Sequence, residues 1–249
     1  MCNILILGGT TEASALASAL AKRGVRATLS YAGRVANPKP QPVPTRIGGF
    51  GGVQGLDRYL RAHAVTHLID ATHPFAARMS ANAIAAGRAA GVPTIALTRP
   101  AWAPVAGDNW RLVADIEAAV AALTGPAQRV MLALGRMHVA AFAAQSQHQY
   151  LLRFVDAPTT APMLPHHTLV IDRGPFGVED DVRLLQHHAI QTIVCKNAGG
   201  IGAQAKLVAA RRLGLPVILI DRPALPPRDE VHGVDAVFRW LNHDADRGV

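Results

Sequence analysis

Residues 3–13 read NILILGGTTEA: a short apolar run, a glycine pair, two threonines and the start of an Ala/Leu-rich segment. A short apolar run is typical of a buried parallel strand, and the segment after it predicts a helix over residues 10–23. Glycines permit a tight turn between the two, and the start of the helix then presents backbone N–H groups to an anion. The predicted phosphate-binding residues are Gly8, Gly9, Thr10, Thr11 and Glu12.

This loop departs from the full dinucleotide-binding pattern G-x-G-x-x-G. Ala13 stands at the third glycine position, which the G/A variant of the pattern tolerates. The threonines are expected to cap the helix and to donate hydroxyls to phosphate oxygens. The alternative interpretation is an ordinary strand-to-helix turn with a good cap.

Strand and helix patterns alternate along the rest of the chain, which predicts an α/β fold with parallel sheets covered by helices on both faces. Predicted strands are residues 3–7, 26–30, 43–47, 67–70, 92–97, 110–113, 129–134, 148–153, 168–172, 191–195 and 217–221. Predicted helices are residues 10–23, 56–63, 76–90, 116–123, 179–188, 203–213 and 234–242.

A Pro/Gly-rich segment, residues 99–109, interrupts this alternation and predicts a domain boundary. We therefore expect two Rossmann-like parallel-sheet domains with a cleft between them. Residues 1–100 are expected to bind NADP, and residues 101–249 are expected to form the substrate wall of the cleft.

Composition excludes several classes of protein. The 249 residues contain only two cysteines, too few for a disulfide scaffold or a cysteine-based zinc site. No metal-binding spacing such as HExxH occurs, so we expect no metal.

No apolar run reaches the length of a membrane helix and no signal peptide is evident, so we expect a cytoplasmic protein that does not contact a membrane. A monomer is the default expectation.

The formal net charge is +8, but the basic residues do not cluster in runs and aromatic residues make up only 5% of the chain. Nucleic-acid-binding proteins usually show a basic stripe, so we expect no nucleic acid partner. The charge suits an enzyme that binds a polyanionic small molecule, and plain solubility explains it equally well.

The end of the second predicted strand indicates which dinucleotide binds. NAD-binding folds usually place Asp or Glu there to hold the ribose 2′-hydroxyl, whereas this chain has Ser30, Tyr31 and Arg34 in the sequence SYAGR. A guanidinium forms bidentate bonds with a phosphate, so these three residues predict NADP. A polar loop with an exposed arginine is the alternative.

The strand HLID ends at Asp70, and Thr72, His73 and Pro74 follow it. Ligands of open α/β sheets bind at the carboxyl ends of strands, so these side chains are site candidates. His73 can pass a proton near neutral pH, and Asp70 can orient it or contact substrate. Thr72 is assigned to the cofactor. A capped helix start that includes Pro74 in its first turn is the alternative interpretation.

A second glycine-rich loop, residues 196–202, follows the strand QTIVC. Lys196 is a further catalytic candidate, and Lys206 is expected to bind an anionic substrate group near the helix start. Asn197, Gly199 and Gly200 are assigned to ligand binding as part of the cofactor site, and a solvated lysine on a flexible loop is the alternative. Arg136 and Arg173 also follow strand ends and are assigned to the substrate.

Six segments resemble the precorrin-6A reductase family of cobalamin biosynthesis across nearly the whole chain. They are GGTTEA at 8–13, SYAGR at 30–34, DATHPFA at 70–76, RGPF at 173–176, KNAGG at 196–200 and LGLPVILIDRP at 213–223. The resemblance implies an NADPH-dependent reduction of one carbon–carbon double bond in the precorrin-6A macrocycle, giving precorrin-6B. A related enzyme acts on the cobalt-loaded ring, and no segment separates the two decisively.

The resemblance implies a tetrapyrrole substrate with many carboxylates, which suits a basic cleft. The hydride chemistry belongs to the cofactor, and His73, Asp70, Lys196 or water delivers the proton. Two other functions account for part of the sequence. A non-catalytic NADP-sensing Rossmann-like regulator would explain the first glycine loop, and a nucleotide-sugar-modifying enzyme with two Rossmann-like halves would explain both loops.

Overall fold

The computed structural model of the chain describes residues 2–33, 40–158 and 160–246. Its strands in chain order are β1 (Asn3–Leu7), β2 (Arg26–Tyr31), β3 (Thr45–Ile47), β4 (His67–Asp70), β5 (Thr94–Leu97), β6 (Trp110–Val113), β7 (Arg129–Ala133), β8 (Gln149–Phe154), β9 (His167–Ile171), β10 (Thr192–Lys196), β11 (Val217–Ile220) and β12 (Glu230–Val231).

The α-helices are α1 (Thr11–Lys22), α2 (Val53–Ala62), α3 (Ala77–Ala90), α4 (Ile116–Ala121), α5 (Val178–His187), α6 (Ala205–Leu213) and α7 (Val234–Asp246). Two further segments, Arg136–Gln145 and Ile201–Ala203, are 3₁₀ helices. Within the described ranges, none of these helices combines the length and the apolar character that a membrane span requires.

The chain divides into two compact units. The first comprises Met1–Pro100 together with Ala224–Val249, and the second comprises Ala101–Pro223. Each unit contains one six-stranded parallel sheet flanked by helices. The predicted fold class, two Rossmann-like parallel-sheet domains, is confirmed.

The sheet of the first unit has the order β3-β2-β1-β4-β5-β12. Successive side chains of a strand point to opposite faces of its sheet. Accordingly, Ile4 and Ile6 pack in a core with Leu16 and Leu20 of α1. Leu5 and its neighbour Leu7 pack on the other face in a core with residues of α2 and α3. Both faces of β1 are therefore covered, which explains why its sequence is apolar throughout.

The C-terminal segment from Ala224 onward belongs to the first unit, whereas the sequence assigned all of residues 101–249 to the second domain. Strand β12 pairs in parallel with β5, with Val231 opposite Leu97. In α7, Val237 and Phe238 are buried in the same core as Leu16. Hydrophobic burial therefore holds this segment against the sheet of the first unit.

The sheet of the second unit has the order β9-β8-β7-β10-β11-β6. The two sheets share one strand order, in which β7, β8 and β9 take the places of β1, β2 and β3, and β10 and β11 take the places of β4 and β5. In the first unit the outer strand β12 comes from the end of the chain, whereas in the second unit the outer strand β6 precedes all the others. The chain therefore completes the first sheet only after it has built the second.

Each sheet has one topological switch point, where neighbouring strands continue toward opposite edges of the sheet. In the first unit it lies between β1 and β4, and in the second between β7 and β10. Open parallel sheets bind ligands at the carboxyl ends of the strands beside a switch point. These two places are the candidate sites.

Candidate active site

The loop after β1 turns at a glycine pair. Gly9 adopts a φ of 122°, which side chains other than that of glycine rarely allow. A Cβ on Gly8 would lie 2.5 Å from Cδ1 of Leu29, so this position also has no room for a side chain. The glycine pair therefore brings the chain closely past β2 and into α1.

Thr10 caps α1 but uses its hydroxyl within the protein. Its Oγ1 accepts from the Ala13 N–H at 3.1 Å and donates to the Ala71 carbonyl at 2.8 Å. The predicted helix cap is therefore present. A hydrogen bond from the Thr10 hydroxyl to a phosphate, which was also predicted, would require its bond to the Ala71 carbonyl to break. Thr10 joins the loops at the two strands of the first switch point.

The first turn of α1 contains Thr11 and Glu12. The Thr11 hydroxyl donates to Glu12 at 3.1 Å, and Glu12 forms a salt bridge of 3.3 Å with Arg99, which follows β5. The first N–H groups of a helix have no acceptor within it, and the helix dipole makes them attract anions. Arg99 compensates the charge of Glu12 at this helix start.

At the end of β2, the buried Ser30 accepts a hydrogen bond of 3.2 Å from Arg46. Arg46 also donates to the carbonyls of Gly48 and Gly49, and its guanidinium stacks 3.9 Å from the Phe50 ring centre. This arginine was not predicted, although only Ile47 separates it from the glycine pair that follows β3.

Tyr31 and Arg34 are the other two residues that the sequence predicts to bind the 2′-phosphate. Tyr31 is partly buried against the core of the first unit. Arg34 lies outside the described residues. Arg46 is therefore the arginine that the structure places at the ends of β2 and β3.

Asp70 is a buried acceptor with three donors. It accepts from the Thr72 N–H at 3.1 Å, from the Thr72 hydroxyl at 2.7 Å and from Arg228 at 2.8 Å. The Asp70 side chain is only 4% exposed, so its charge is neutralised by Arg228 and not by solvent. Asp70 and Thr72 therefore shape the loop after β4.

His73 forms a turn before α3. Its Nδ1 accepts from the Phe75 N–H at 3.2 Å, so in the neutral ring Nε2 carries the hydrogen. The helix predicted over residues 76–90 begins at Ala77 with Ala76 as its N-cap residue, so Pro74 lies before the helix and not in its first turn. A half-buried imidazole thus stands at the carboxyl end of β4.

In the second unit, the loop after β10 is fixed by Trp102. Buried Asn197 accepts from the Trp102 N–H at 2.8 Å and donates to its carbonyl at 3.2 Å. The predicted ligand contact of the Asn197 amide is thus replaced by a backbone contact. Gly199 and Gly200 have φ values of 72° and 78°, and the Gly200 carbonyl accepts from the Trp102 indole at 2.9 Å.

Arg222, which follows β11, strengthens the same loop. Its guanidinium donates to the carbonyls of Asn197 at 3.0 Å and Ala198 at 3.1 Å. This residue was not selected as a site residue from the sequence. It adds a positive charge beside the end of β10.

Lys206 lies inside the second unit. It is 6% exposed, donates to the Ala203 carbonyl and lies 5.0 Å from the centre of the Trp102 ring. The contact with a substrate group that was predicted for Lys206 would require this buried ammonium to give up its bond to Ala203. Lys206 thus bonds the short 3₁₀ helix that follows the loop.

Lys196 and His138 meet at the switch point of the second sheet. Lys196 is the last residue of β10, and His138 lies in the 3₁₀ helix that follows β7. Lys196 Nζ is 2.8 Å from His138 Nε2. Histidine 138 was missed in the sequence because no spacing rule relates it to a lysine 58 residues away.

The two predicted substrate arginines of the second unit are exposed. Arg173 forms a salt bridge of 2.9 Å with Asp156, and both side chains are more than half exposed. Arg136 lines an open groove of about 390 Å³. The other residues that line this groove are Met137, Val139, Ala140, Phe154, Pro158, Thr160, Ala161, Pro162 and Met163.

The described residues contain no group of three or more His, Cys, Asp or Glu side chains that could hold a metal ion. The side chains at the two switch points are instead hydroxyl, carboxylate, imidazole and cationic groups.

Comparisons with known proteins identify the family. The family model described as "Precorrin-6x reductase CbiJ/CobK" matches residues 3–242. A "Precorrin-6A reductase" of Rhodobacter capsulatus is 56% identical over 100% of this chain and 98% of its own length. A "Cobalt-precorrin-6A reductase" of Priestia megaterium is 30% identical, covering 89% of this chain and 91% of its own length.

A solved structure described as "CobK precorrin-6A reductase" superposes with a TM-score of 0.93 and 56% identity, covering 98% of this chain and 97% of that one. The family match and both high-identity matches extend over nearly the full length of the chain. The chain therefore belongs to the precorrin-6x reductase family.

Proposed function

We propose that this chain catalyses the NADPH-dependent reduction of one carbon–carbon double bond of precorrin-6A, giving precorrin-6B in cobalamin biosynthesis. Identity to the Rhodobacter capsulatus precorrin-6A reductase is 56%, against 30% to the Priestia megaterium cobalt-precorrin-6A reductase. This difference favours the metal-free macrocycle as substrate. Family membership favours neither of the alternatives, an NADP sensor or a nucleotide-sugar enzyme.

A contrast between the two switch points supports the first unit as the dinucleotide site. In the first unit, Gly9 has a φ of 122° and leads into a 12-residue α-helix capped by Thr10. At the equivalent place in the second unit, Gly135 has a φ of −66° and leads into a 3₁₀ helix without a side-chain cap. Only the former provides the glycine turn and helix start that suit a pyrophosphate.

The contrast between the loops at Gly9 and Gly135 is the observation that carries the assignment of the dinucleotide to the first unit.

The described residues at the end of β2, residues 30–33, contain no carboxylate for a ribose 2′-hydroxyl. Ser30 and the neighbouring Arg46 are a hydroxyl and a guanidinium, which suit a 2′-phosphate. Arg34 is proposed alongside them from the sequence. NADPH, when bound, supplies the hydride for the reaction.

The second unit is proposed to bind the macrocycle. Lys196 is the last residue of β10, and Arg136 and Arg173 follow the carboxyl ends of β7 and β9. Cationic side chains form charge-assisted hydrogen bonds with carboxylates, which the periphery of a precorrin carries in large number. The groove beside Arg136 is lined mainly by apolar side chains, which suit the methyl groups and ring edges of a tetrapyrrole.

The proton for the carbon beside the reduced position is proposed to come from Lys196 or His73. Asp70 is a weaker candidate, because its buried carboxylate already accepts hydrogen bonds from Arg228 and from the N–H and hydroxyl of Thr72. Both remaining candidates carry N–H groups at the carboxyl end of a strand. The enzyme is expected to act in the cytoplasm and as a monomer.

The test is a reaction of the purified chain with NADPH and precorrin-6A, followed at the absorbance of both compounds. We expect NADPH oxidation to require precorrin-6A and to proceed with a matching change in the corrinoid spectrum. If neither NADPH nor precorrin-6A is consumed, the proposed function is wrong. A parallel reaction with NADH should be much slower, and equal rates with both dinucleotides would contradict the argument from Ser30 and Arg46.

A further inference from the structure

The contact between Lys196 and His138 lies at the switch point of the second sheet. Lys196 Nζ and His138 Nε2 are 2.8 Å apart, which is a hydrogen-bonding distance between two groups that can each carry a positive charge. Both residues are half-buried. The contact needs an explanation, because like charges at this distance repel.

The backbone determines that these residues meet. Strands β10 and β7 are adjacent, with Cys195 opposite Ala133. Lys196 therefore follows the paired Cys195 at the carboxyl end of β10. After β7 the chain turns at Gly135, and the His138 N–H donates to the Gly135 carbonyl at 3.0 Å. The pair thus occupies the part of a parallel sheet where ligands bind.

The chemistry of the two side chains determines their protonation. A lysine amine binds its proton much more tightly than an imidazole does, and two cations at this distance are unfavourable. The pair therefore consists of a Lys196 ammonium that donates to Nε2 of a neutral His138. One N–H bond of the ammonium is directed along the line to His138, which fixes how the ammonium is oriented.

His138 is poorly explained as a packing residue. The buried side chains of its 3₁₀ helix are Val139 and Phe142. The backbone carbonyl of Phe142 also accepts a hydrogen bond of 3.1 Å from the Tyr150 hydroxyl. These contacts hold the segment in place without His138. Loss of the imidazole is therefore expected to leave the second unit folded.

We propose that His138 is a positioning residue that orients the Lys196 ammonium as the proton donor of the reduction. This inference rests on the proposed function. Hydride from NADPH forms a C–H bond at one carbon of the double bond, and the electron pair of the π bond moves to the macrocycle carbon beside it. One N–H bond of Lys196 then breaks as that second carbon takes the proton. The neutral amine regains a proton from water.

The test is a double-mutant cycle on kcat for NADPH oxidation with precorrin-6A. We expect His138→Ala to lower kcat about 10- to 100-fold, a part of the 10²–10⁴-fold effect of general acid catalysis, with little change in KM for NADPH. His138→Gln should recover most of the rate, because its amide oxygen can accept the Lys196 N–H. In a Lys196→Met background, His138→Ala should have no further effect.

His166→Ala is the matched control, since His166 is an exposed histidine before the amino end of β9, and it should keep the kcat of the unmodified chain. Full kcat in His138→Ala, no recovery in His138→Gln, or additive effects in the double variant would each overturn the inference. The unmodified chain provides the separate check: if it fails to oxidise NADPH with precorrin-6A, the proposed function itself is wrong. Thermal unfolding of each variant should match that of the unmodified chain, and a large loss of stability in His138→Ala would also overturn the inference.

Discussion

Gly9 and Gly135 lie in the loops that follow β1 and β7 at the two switch points, and they differ in backbone conformation. A Cβ would meet no atom within 4 Å at either position. Gly9 has a φ of 122°, however, whereas Gly135 has a φ of −66°. We expect Gly9→Ala to lower stability by about 1–3 kcal/mol and to weaken NADPH binding, because the strain is relieved only if the loop moves.

Gly135→Ala is the matched control for that prediction, because alanine adopts its backbone conformation without strain. Thermal unfolding and calorimetric titration with NADPH measure both effects. Equal NADPH affinity in the two variants would contradict the role of the first loop.

The two cysteines are expected to differ in reactivity. Burial raises the pKa of the Cys195 thiol, and the charge of nearby Lys206 offsets only part of that rise. Because the thiolate is the reactive form, a raised pKa leaves less of it at a given pH. Exposed Cys2 should therefore react with a thiol reagent in the native chain, whereas Cys195 should react only after unfolding. Rapid native modification of a Cys2→Ser variant would show this to be wrong.

At the scale of single residues, the sequence predicted which loops form the candidate site better than it predicted what each side chain contacts. Gly9 and Lys196 lie at the expected strand ends. Asn197 and Lys206, by contrast, use their polar groups on Trp102 and Ala203. A polar side chain after a strand serves a ligand or the backbone equally well, and only the fold decides between them.

The partners of site residues were also beyond reach of the sequence. Arg228 neutralises Asp70 from 158 residues away, and the contact between His138 and Lys196 spans 58 residues. Such contacts depend on which strands become neighbours. No local spacing in the sequence encodes that order.

At the scale of elements, the cap of α1 connects the loops of β1 and β4. Thr10→Val keeps the shape of the side chain but loses the bonds to Ala13 and Ala71. We expect a loss of stability of about 1–3 kcal/mol, from one helix cap and one further hydrogen bond. Thr10→Ser, which keeps the hydroxyl, should lose much less. Equal unfolding temperatures for the two variants would contradict this role of the hydroxyl.

Most elements were predicted because their patterns are local. Strands β1, β4 and β6 have their predicted bounds. For β1 and β4 the reason is nearly continuous burial, which gives a short apolar run, whereas β6 is an edge strand without a fully buried residue. Strand β12 was missed because it has only two residues. The 3₁₀ helix over Arg136–Gln145 was also missed, since its Ala-rich sequence shows no strong helical periodicity.

At the scale of the whole molecule, the return of the chain to the first unit was not predicted. The sequence suggested one boundary near residue 100, whereas residues from Ala224 onward belong with the first unit. Hydrophobic periodicity indicates that α7 has a buried face but not which core receives it. The fold class could be inferred, but the strand order at the edges of the two sheets could not.

Val237 tests this organisation, because it is fully buried in the core of the first unit. We expect Val237→Asp to increase hydrogen exchange in β1 and α1 while β7 and β10 stay protected, since a buried unpaired charge destabilises the core around it. The exposed neighbour Arg239 supplies the control Arg239→Asp, which should change neither. Loss of protection confined to the second unit would contradict the assignment of the C-terminal segment.

The central claim is that this chain transfers hydride from NADPH to precorrin-6A. The most direct measurement is mass spectrometry of the corrinoid product after reaction with NADPH that carries deuterium at both C4 positions of the nicotinamide. We predict precorrin-6B that contains one deuterium atom from the cofactor and one hydrogen from solvent. A reduced product without deuterium, or unchanged precorrin-6A, would contradict the claim.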